Sequence, residues 1–311
     1  MTAPLPVALF GAGTRARTVY GPLLEQMDGL RLVGIVGRGE QRAQALASSL
    51  GVPWSRELEP GWGAEAAIVC VSSPENARVA HQVLDAGLPA LLETPLALRA
   101  EDAAALAERI ERDGAIVEIA EQNPRFPDLA AVIAARHRIG EIRLVATDGA
   151  GYRYHAAAVA RALLGRPRGR IATGQRAVFP EVDVGRNDGA EEVLVGTVRA
   201  QGGALFQFRD AEAAWAGGPW SRGRWRAFGT RGEWADGLLG GAPLEPVRAL
   251  EASITDDQQA VARCLLDWMA RIDGHVTPTA WSAADGLADV LWIDAMRRSA
   301  VLGGAPIGLG R

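Results

Sequence analysis

Lysine is absent from this chain of 311 residues, and all 33 of its basic side chains are arginines. A lysine Schiff base or a lysine ammonium acid is therefore excluded from any mechanism that the protein uses. Cysteine is scarce, and Cys70 and Cys264 each lie within an apolar stretch, far apart in the sequence. That spacing predicts two core thiols rather than a disulfide framework or a metal site.

Long apolar runs are also lacking. The first apolar run, Val7–Phe10, has the length of a strand and follows no basic leader, so neither a signal peptide nor a membrane span is predicted. A net charge of −4 gives no general reason to bind nucleic acid or an anionic membrane. With 48% apolar and 23% charged residues, the sequence is typical of a globular protein. We expect a cytoplasmic protein with a small-molecule partner.

The first 120 or so residues alternate between short apolar runs and helix-sized segments. Apolar runs predict strands at Val7–Phe10, Leu30–Val36, Ala66–Val71, Leu88–Leu92 and Ala115–Ala120. Strands that alternate with helices are typical of a doubly wound parallel sheet. The sequence therefore predicts an α/β Rossmann domain over residues 1–121.

The pattern changes after Gln122. Strand-like stretches now follow one another with glycine-rich turns between them, at Arg170–Val178, Glu192–Arg199, Ala204–Arg209 and Arg224–Gly229. Two segments with apolar residues at helical spacing, Asp256–Ile272 and Ala283–Leu302, close the chain. Runs of strands without helices between them predict a mainly antiparallel open sheet in an α+β domain over residues 122–311.

The loop after the first strand contains a glycine pattern with known physical meaning. Gly11 permits a tight turn, Gly13 lets the backbone approach a pyrophosphate, and Ala16 is small enough for close packing between helix and strand. Thr14 and Arg15 complete this loop at a helix N-terminus, where the dipole favours phosphate. We predict a dinucleotide site, with a purely structural turn as the alternative.

The end of the second strand bears on which dinucleotide is bound. A site selective for NAD usually holds an aspartate or glutamate there, but this chain has Gly37 followed by Arg38. Arg38 and Arg15 would together place two guanidinium groups near a ribose 2′-phosphate, which favours NADP. NAD remains the alternative, with Arg38 then a solvated loop residue.

Several short motifs occur in an order that identifies a family. After the glycine loop come the turns Ser72-Ser73-Pro74 and Glu93-Thr94-Pro95-Leu96, then Gly140-Glu-Ile, Tyr154-His155 leading to Gly165, and Ser299-Ala300. In this order the chain resembles, over nearly its full length, the glucose–fructose oxidoreductase/inositol dehydrogenase (Gfo/Idh/MocA) family.

The resemblance implies a Rossmann domain followed by an α/β domain whose open sheet forms homodimers or homotetramers. It also implies nicotinamide-dependent chemistry on sugars, cyclitols and related carbonyl or imine compounds. Carried onto this sequence, the cofactor-binding residues beyond the glycine loop are Ser72, Ser73, Asn76, Glu93 and Pro95.

The chain departs from the family at two charged positions. The lysine of the family's Glu-Lys-Pro turn is Thr94, and the aspartate four residues before the family histidine is Gly151, whereas His155 itself is kept. We predict that His155 acts as the acid or base, with Tyr152, Tyr154 and Thr94 as neutral donors. Backbone alternation would place both tyrosines on one side, away from His155.

Without a cation near a developing alkoxide, ordinary polyol oxidation is disfavoured. The sequence therefore predicts NADP-dependent reduction of a carbonyl or imine, with Arg125 and His155 as candidate substrate contacts. Two alternatives stay open. One is a non-catalytic dinucleotide-binding protein, and the other is a lyase or hydrolase that uses NAD transiently.

Overall fold

A parallel sheet is formed by the first third of the chain. The computed structural model describes residues 3–148, 153–183, 190–211, 224–235, 237–247 and 254–310. Within them the first sheet consists of β1 (Leu5–Phe10), β2 (Leu30–Val36), β3 (Trp54–Ser55), β4 (Ala66–Val69), β5 (Ala90–Leu92) and β6 (Val117–Ile119). The strands pair in the order β3-β2-β1-β4-β5-β6, and every pair is parallel. This confirms the doubly wound sheet and puts its switch point between β1 and β4.

Helical segments connect these strands. A π-helical turn, Ala16–Tyr20, runs directly into α1 (Gly21–Gln26), and the Gly21 N–H donates to the carbonyl of Ala16. The other connections are α2 (Glu40–Ser49), α3 (Ser73–Asp85) and α4 (Ala100–Asp113). The strand residues of β4 and β5 are fully buried, because helices cover both faces of a parallel sheet.

A helix from late in the sequence completes this first unit. α7 (Asp256–Ile272) begins with a capping box made by Thr255 and Gln258. Its apolar face, which includes Leu265 and Trp268, joins the core formed by β1 and Tyr20. The first compact unit therefore comprises the described residues up to Arg125 together with those from 254 to Leu287. The sequence-based boundary after residue 121 assigned α7 to the second domain, since chain order does not reveal this return.

The second unit is built on a larger sheet. Its strands are β7 (Ile142–Asp148), β8 (Gly169–Asp183), β9 (Ala190–Ala200), β10 (Leu205–Ala211), β11 (Arg224–Gly229), β12 (Glu233–Ala235), β13 (Leu238–Leu239), β14 (Ala242–Pro243) and β15 (Ile307–Gly308). Their order is β14-β13-β12-β11-β7-β10-β9-β8-β15. Only β7 and β10 pair in parallel among the described strands of this sheet, which confirms the mainly antiparallel prediction.

Helices pack on one face of this sheet. They are α5 (Pro127–Ala135), α6 (Arg153–Leu164) and the greater part of α8 (Ala283–Val301). α8 approaches β8 so closely that a Cβ at Gly174 would lie 2.2 Å from the carbonyl oxygen of Met296. Trp292 of α8 stacks beside Phe206 of β10 with ring centroids 5.9 Å apart. No helix in the described ranges combines the length and apolar character needed to cross a membrane.

Candidate functional site

The glycine loop leaves β1 at the carboxyl edge of the first sheet. Gly11 donates its N–H to the carbonyl of Val36 at 2.8 Å and has a φ of +115°. A Cβ there would lie 2.0 Å from the carbonyl oxygen of Cys70, so only glycine fits. At Gly13, by contrast, an added Cβ would meet no atom within 4 Å. The loop is therefore closed at Gly11, where the backbone packs against the sheet with no room for a side chain. It is open at Gly13, where the space beside the backbone is unoccupied by protein, and this fits the approach of a pyrophosphate.

The end of β2 carries exposed positive charge. Arg38, whose side chain is 69% exposed, pairs with Glu75 at 3.2 Å. Glu75 also pairs with Arg78, and its pKa is lowered mainly by the hydrogen bond from that guanidinium. At the end of β2, Gly37 takes the position where an NAD site usually has an acidic residue, and its N–H donates to the carbonyl of Ser55.

A second arginine at the end of β2 escaped the sequence analysis. A Cβ at Gly39 would lie 3.4 Å from Arg42 Nη2, so the Arg42 side chain folds back over the backbone of the β2–α2 loop. Arg42 lies in the first turn of α2, which begins two residues after Arg38. The available signal was this short separation from the end of β2.

Asn76 organises the turn that follows β5. It lies in the first turn of α3 beside Ser72, which is exposed, and Ser73, which is half-buried. The Asn76 side chain is 1% exposed, and its amide nitrogen donates to the carbonyls of Glu93 and Pro95 at 2.6 and 2.7 Å. The predicted cofactor residue Asn76 thus directly holds the backbone of the Glu93–Pro95 turn.

Glu93 is buried within that turn, where its carboxylate accepts three hydrogen bonds. The donors are Arg15 Nε, the hydroxyl of Tyr20 at 2.8 Å and the N–H of Thr94 at 3.1 Å. Burial raises the pKa of Tyr20 well above its ordinary value, and Glu93 raises it further, so the phenol stays protonated and donates. Thr94 is half-buried on the same turn.

Arg15 does not join Arg38, contrary to the sequence-based argument for a shared phosphate site. Besides Glu93 it contacts Asp257 of α7, with Nη1 and Oδ2 3.1 Å apart. Its Nη2 atom is buried and has no hydrogen-bond partner. Burial alone would lower the pKa of Arg15, but Glu93 and Asp257 raise it well above the ordinary value. Two carboxylates on other elements therefore hold this guanidinium away from the end of β2.

His155 lies in the first turn of α6 and is 5% exposed. Tyr154 is half-buried, and its ring contacts that of His155 with centroids 4.5 Å apart. The prediction that Tyr154 points away from His155 is therefore wrong, because helical rather than extended backbone joins them. Tyr152 and Gly151 lie outside the described residues.

Arg153, which the sequence analysis did not single out, anchors this turn. Its Nε donates to Asp210 of β10 at 2.6 Å, and its Nη2 donates to the carbonyl of Glu192 on β9 at 2.7 Å. The Glu192 carboxylate pairs with the same guanidinium. Burial by itself would raise the pKa of Glu192, but Arg153 outweighs it and lowers the value. The partners are distant in sequence, so no local pattern signals this anchor.

Arg125 is placed in the interior of the first unit, at 1% exposure. Its guanidinium donates to Asp267 at 2.7 and 3.0 Å, to Glu118 at 2.9 Å and to the carbonyl of Glu121 at 2.6 Å. These contacts favour a structural role over the substrate contact predicted from the sequence. Among the described residues, no group of three or more His, Cys, Asp or Glu side chains could hold a metal ion.

Comparison with known proteins agrees with this geometry. Residues 5–121 match the model of a family described as an oxidoreductase family with an NAD-binding Rossmann fold. Among curated proteins, none matches the chain significantly in sequence.

Solved structures match over almost the whole chain. An oxidoreductase from Agrobacterium radiobacter, in complex with NAD+, L-tartaric acid and magnesium, has a TM-score of 0.80 at 18% identity, covering 99% of this chain and 98% of that one. GenD2 from gentamicin A biosynthesis, in complex with NAD, has a TM-score of 0.76 at 20% identity, covering 100% and 98%. A myo-inositol dehydrogenase from Corynebacterium glutamicum has a TM-score of 0.76 at 18% identity, covering 99% of both chains. At these identities the likeness establishes the fold.

Proposed function

We propose that this chain, whose residues 5–121 match the model of an oxidoreductase family with an NAD-binding Rossmann fold, is an NADP-dependent reductase of a carbonyl or imine group in a small molecule. The observation that carries this proposal is the glycine loop, which is closed at Gly11 and open at Gly13. Such a loop at the switch point of a doubly wound sheet is suited to a dinucleotide pyrophosphate.

The residues of the first unit would divide the dinucleotide between them. The loop backbone at Gly13 and Thr14 would take the pyrophosphate, and the end of β2 would take the adenosine ribose. The turn held by Asn76 and Glu93 would border the nicotinamide half, at the carboxyl edge of β4 and β5. A bound nicotinamide would supply the hydride, which is the one component of the chemistry that side chains cannot provide.

Replacing Gly13 by alanine should weaken dinucleotide binding without lowering the free energy of unfolding. An added Cβ meets no protein atom within 4 Å, and the backbone φ of Gly13 is not positive, so the fold tolerates it. The methyl group would instead stand where the pyrophosphate must approach, and we expect the Kd to rise about ten-fold or more. Fluorescence titration with NADPH and thermal unfolding of the same variant measure the two effects. An unchanged Kd would reject the loop as the binding site.

The preference for NADP rests on the end of β2. Arg38 is exposed there, and Arg42 lies over Gly39 beside it. The carboxylate that would hydrogen-bond a ribose 2′-hydroxyl is replaced by Gly37. Two guanidinium groups, with glycine in place of the usual acidic residue of β2, support recognition of a 2′-phosphate.

Replacing Arg38 by alanine should therefore raise the Kd of NADPH about ten-fold while changing that of NADH little. NADPH loses a charge-assisted contact to its 2′-phosphate, whereas NADH has no 2′-phosphate to contact. Arg112→Ala, an exposed arginine paired with Asp113 on α4, serves as the matched control. Equal loss of both dinucleotides would count against NADP selectivity at this arginine.

The reaction would depend on His155 for the proton. A buried imidazole in contact with Tyr154 can pass a proton to the substrate oxygen or nitrogen, and Thr94 can donate a neutral hydrogen bond. Without lysine, reduction of a carbonyl or imine is favoured over oxidation of a polyol, which benefits from a cation near the alkoxide. Consumption of NADPH with a panel of ketones and imines tests the reaction. Tight binding with no turnover across the panel would favour a non-catalytic sensor instead.

The open face of the second sheet supports the proposal of a homo-oligomer. Apolar side chains of one face stand exposed there, namely Ile171 and Phe179 of β8 and Val195 of β9. Exposed apolar residues grouped on neighbouring strands are typical of surfaces that bind another protein.

A further inference from the structure

We propose that Arg15, whose guanidinium contacts the Glu93–Thr94–Pro95 turn, sets which oxidation state of the nicotinamide this site prefers. The inference rests on the proposed function, because it requires that a nicotinamide dinucleotide binds. The inference concerns the relative affinity of the site for the oxidised and the reduced dinucleotide. The glycine loop and the 2′-phosphate contacts do not distinguish these two forms.

The position of Arg15 follows from the strand order. Its backbone belongs to the loop after β1, and its guanidinium contacts Glu93, the residue that follows β5. Because β4 lies between β1 and β5, this side chain crosses the carboxyl end of β4. Cys70 follows β4 there. Burial raises the pKa of the Cys70 thiol well above its ordinary value, with Glu93 raising it further and Arg15 opposing them. Arg15 thus lies at the switch point, where dinucleotides bind in such folds.

The charges around Arg15 are few and well defined. Glu93 is buried and Asp257 is about one-fifth exposed, so the group consists of one guanidinium and two carboxylates. Other titratable groups that interact with Glu93 are Tyr20, Cys70 and Cys264, which burial keeps protonated and neutral. Without Arg15 the site would hold two uncompensated negative charges. One donor of the guanidinium, Nη2, is buried and has no hydrogen-bond partner within the described residues.

These charges act differently on the two forms of a nicotinamide. The oxidised ring carries a positive charge and the reduced ring is neutral, whereas the pyrophosphate and the adenosine half are the same in both. A fixed charge near the ring therefore changes the ratio of the two dissociation constants, while its effect on the shared groups cancels. Arg15 opposes the attraction of Glu93 and Asp257 for the oxidised ring, so it favours the reduced form that a reductase must bind.

The test is the ratio of the Kd of NADP+ to the Kd of NADPH, measured in whole protein by fluorescence titration and by competition. Arg15→Met should lower this ratio by about five-fold or more, because two carboxylates then face the oxidised ring alone. Glu93→Gln should raise the ratio, because it removes a negative charge from the same group. Arg15→Lys, which keeps the charge, should stay within about two-fold of the wild-type ratio.

Opposite shifts in the Arg15 and Glu93 variants would establish the electrostatic role, since a loss of packing weakens both forms alike and leaves the ratio unchanged. An unchanged ratio in Arg15→Met, or shifts of the same sign in both variants, would overturn the inference. If Arg15→Met does not fold, the other two variants decide the question by the same ratio. A raised ratio in Glu93→Gln with a near wild-type ratio in Arg15→Lys supports the inference, and any other result overturns it. Failure of the wild-type protein to bind either form would reject the proposed function itself.

Discussion

Replacing His155 by alanine is expected to lower kcat for NADPH-dependent reduction by a factor of about 10² to 10⁴. The chain has no lysine that could take over the proton, and Gly151 stands where the family has a carboxylate. His155 is buried in the first turn of α6, which Arg153 ties to β9 and β10. An imidazole held in this way is suited to proton transfer, because its position does not depend on the substrate.

The measurement is NADPH consumption with the best substrate of the ketone and imine panel. The Kd of NADPH should stay the same, since the dinucleotide contacts belong to the first unit. His137→Ala serves as the matched control, because His137 is an exposed histidine of the same unit as His155. His155→Gln covers the chance that an alanine at this buried position disturbs α6. Full turnover in both His155 variants would remove this residue from the mechanism.

Replacing Arg125 by methionine is expected to lower the free energy of unfolding of the first unit by about 3–5 kcal/mol. Methionine fills much of the space but leaves Asp267 buried without its cation, whereas Glu118 keeps Arg271 at 3.1 Å. Thr279, at 2.9 Å from Asp267, cannot replace the lost charge. A buried carboxylate that loses its partner is far more costly than an exposed one.

Urea unfolding followed by tryptophan fluorescence measures this effect, because Trp268 and Trp281 are buried in the same unit. Adding Asp267→Asn to Arg125→Met should recover part of the stability, since the orphaned charge is then gone. Arg112→Met, which removes an exposed arginine, should unfold at the wild-type midpoint. A midpoint of Arg125→Met equal to that control would show that the buried network contributes nothing.

The first sheet was predictable because its signals are local. A continuous apolar run such as Ala66–Val69 identifies a strand buried on both faces, and Gly11 with Gly13 marks the loop between β1 and its helix. The limits of β2, β11 and α7 coincide with the predicted ones. β3 and β13 were missed, because two residues are too few to show a period of two.

The roles of the buried charges were not predictable from the sequence. Arg15 and Arg38 looked equivalent in the sequence, and only the fold brings Glu93 and Asp257 to the first of them. Arg125 likewise lies 142 positions from its partner Asp267. Such pairs depend on tertiary contacts that no local pattern records. Arg38, in contrast, is exposed in the β2–α2 loop, where the sequence places it.

The return of α7 to the first unit has a consequence for the order of synthesis on the ribosome. β1 to β6 emerge first, and the helix that covers part of their core follows over a hundred residues later. The nascent chain therefore carries an uncovered apolar surface around Val7, Leu9 and Tyr20 while residues 126–248 of the second unit are being translated. A chain ended near residue 125 would keep that surface open to aggregation.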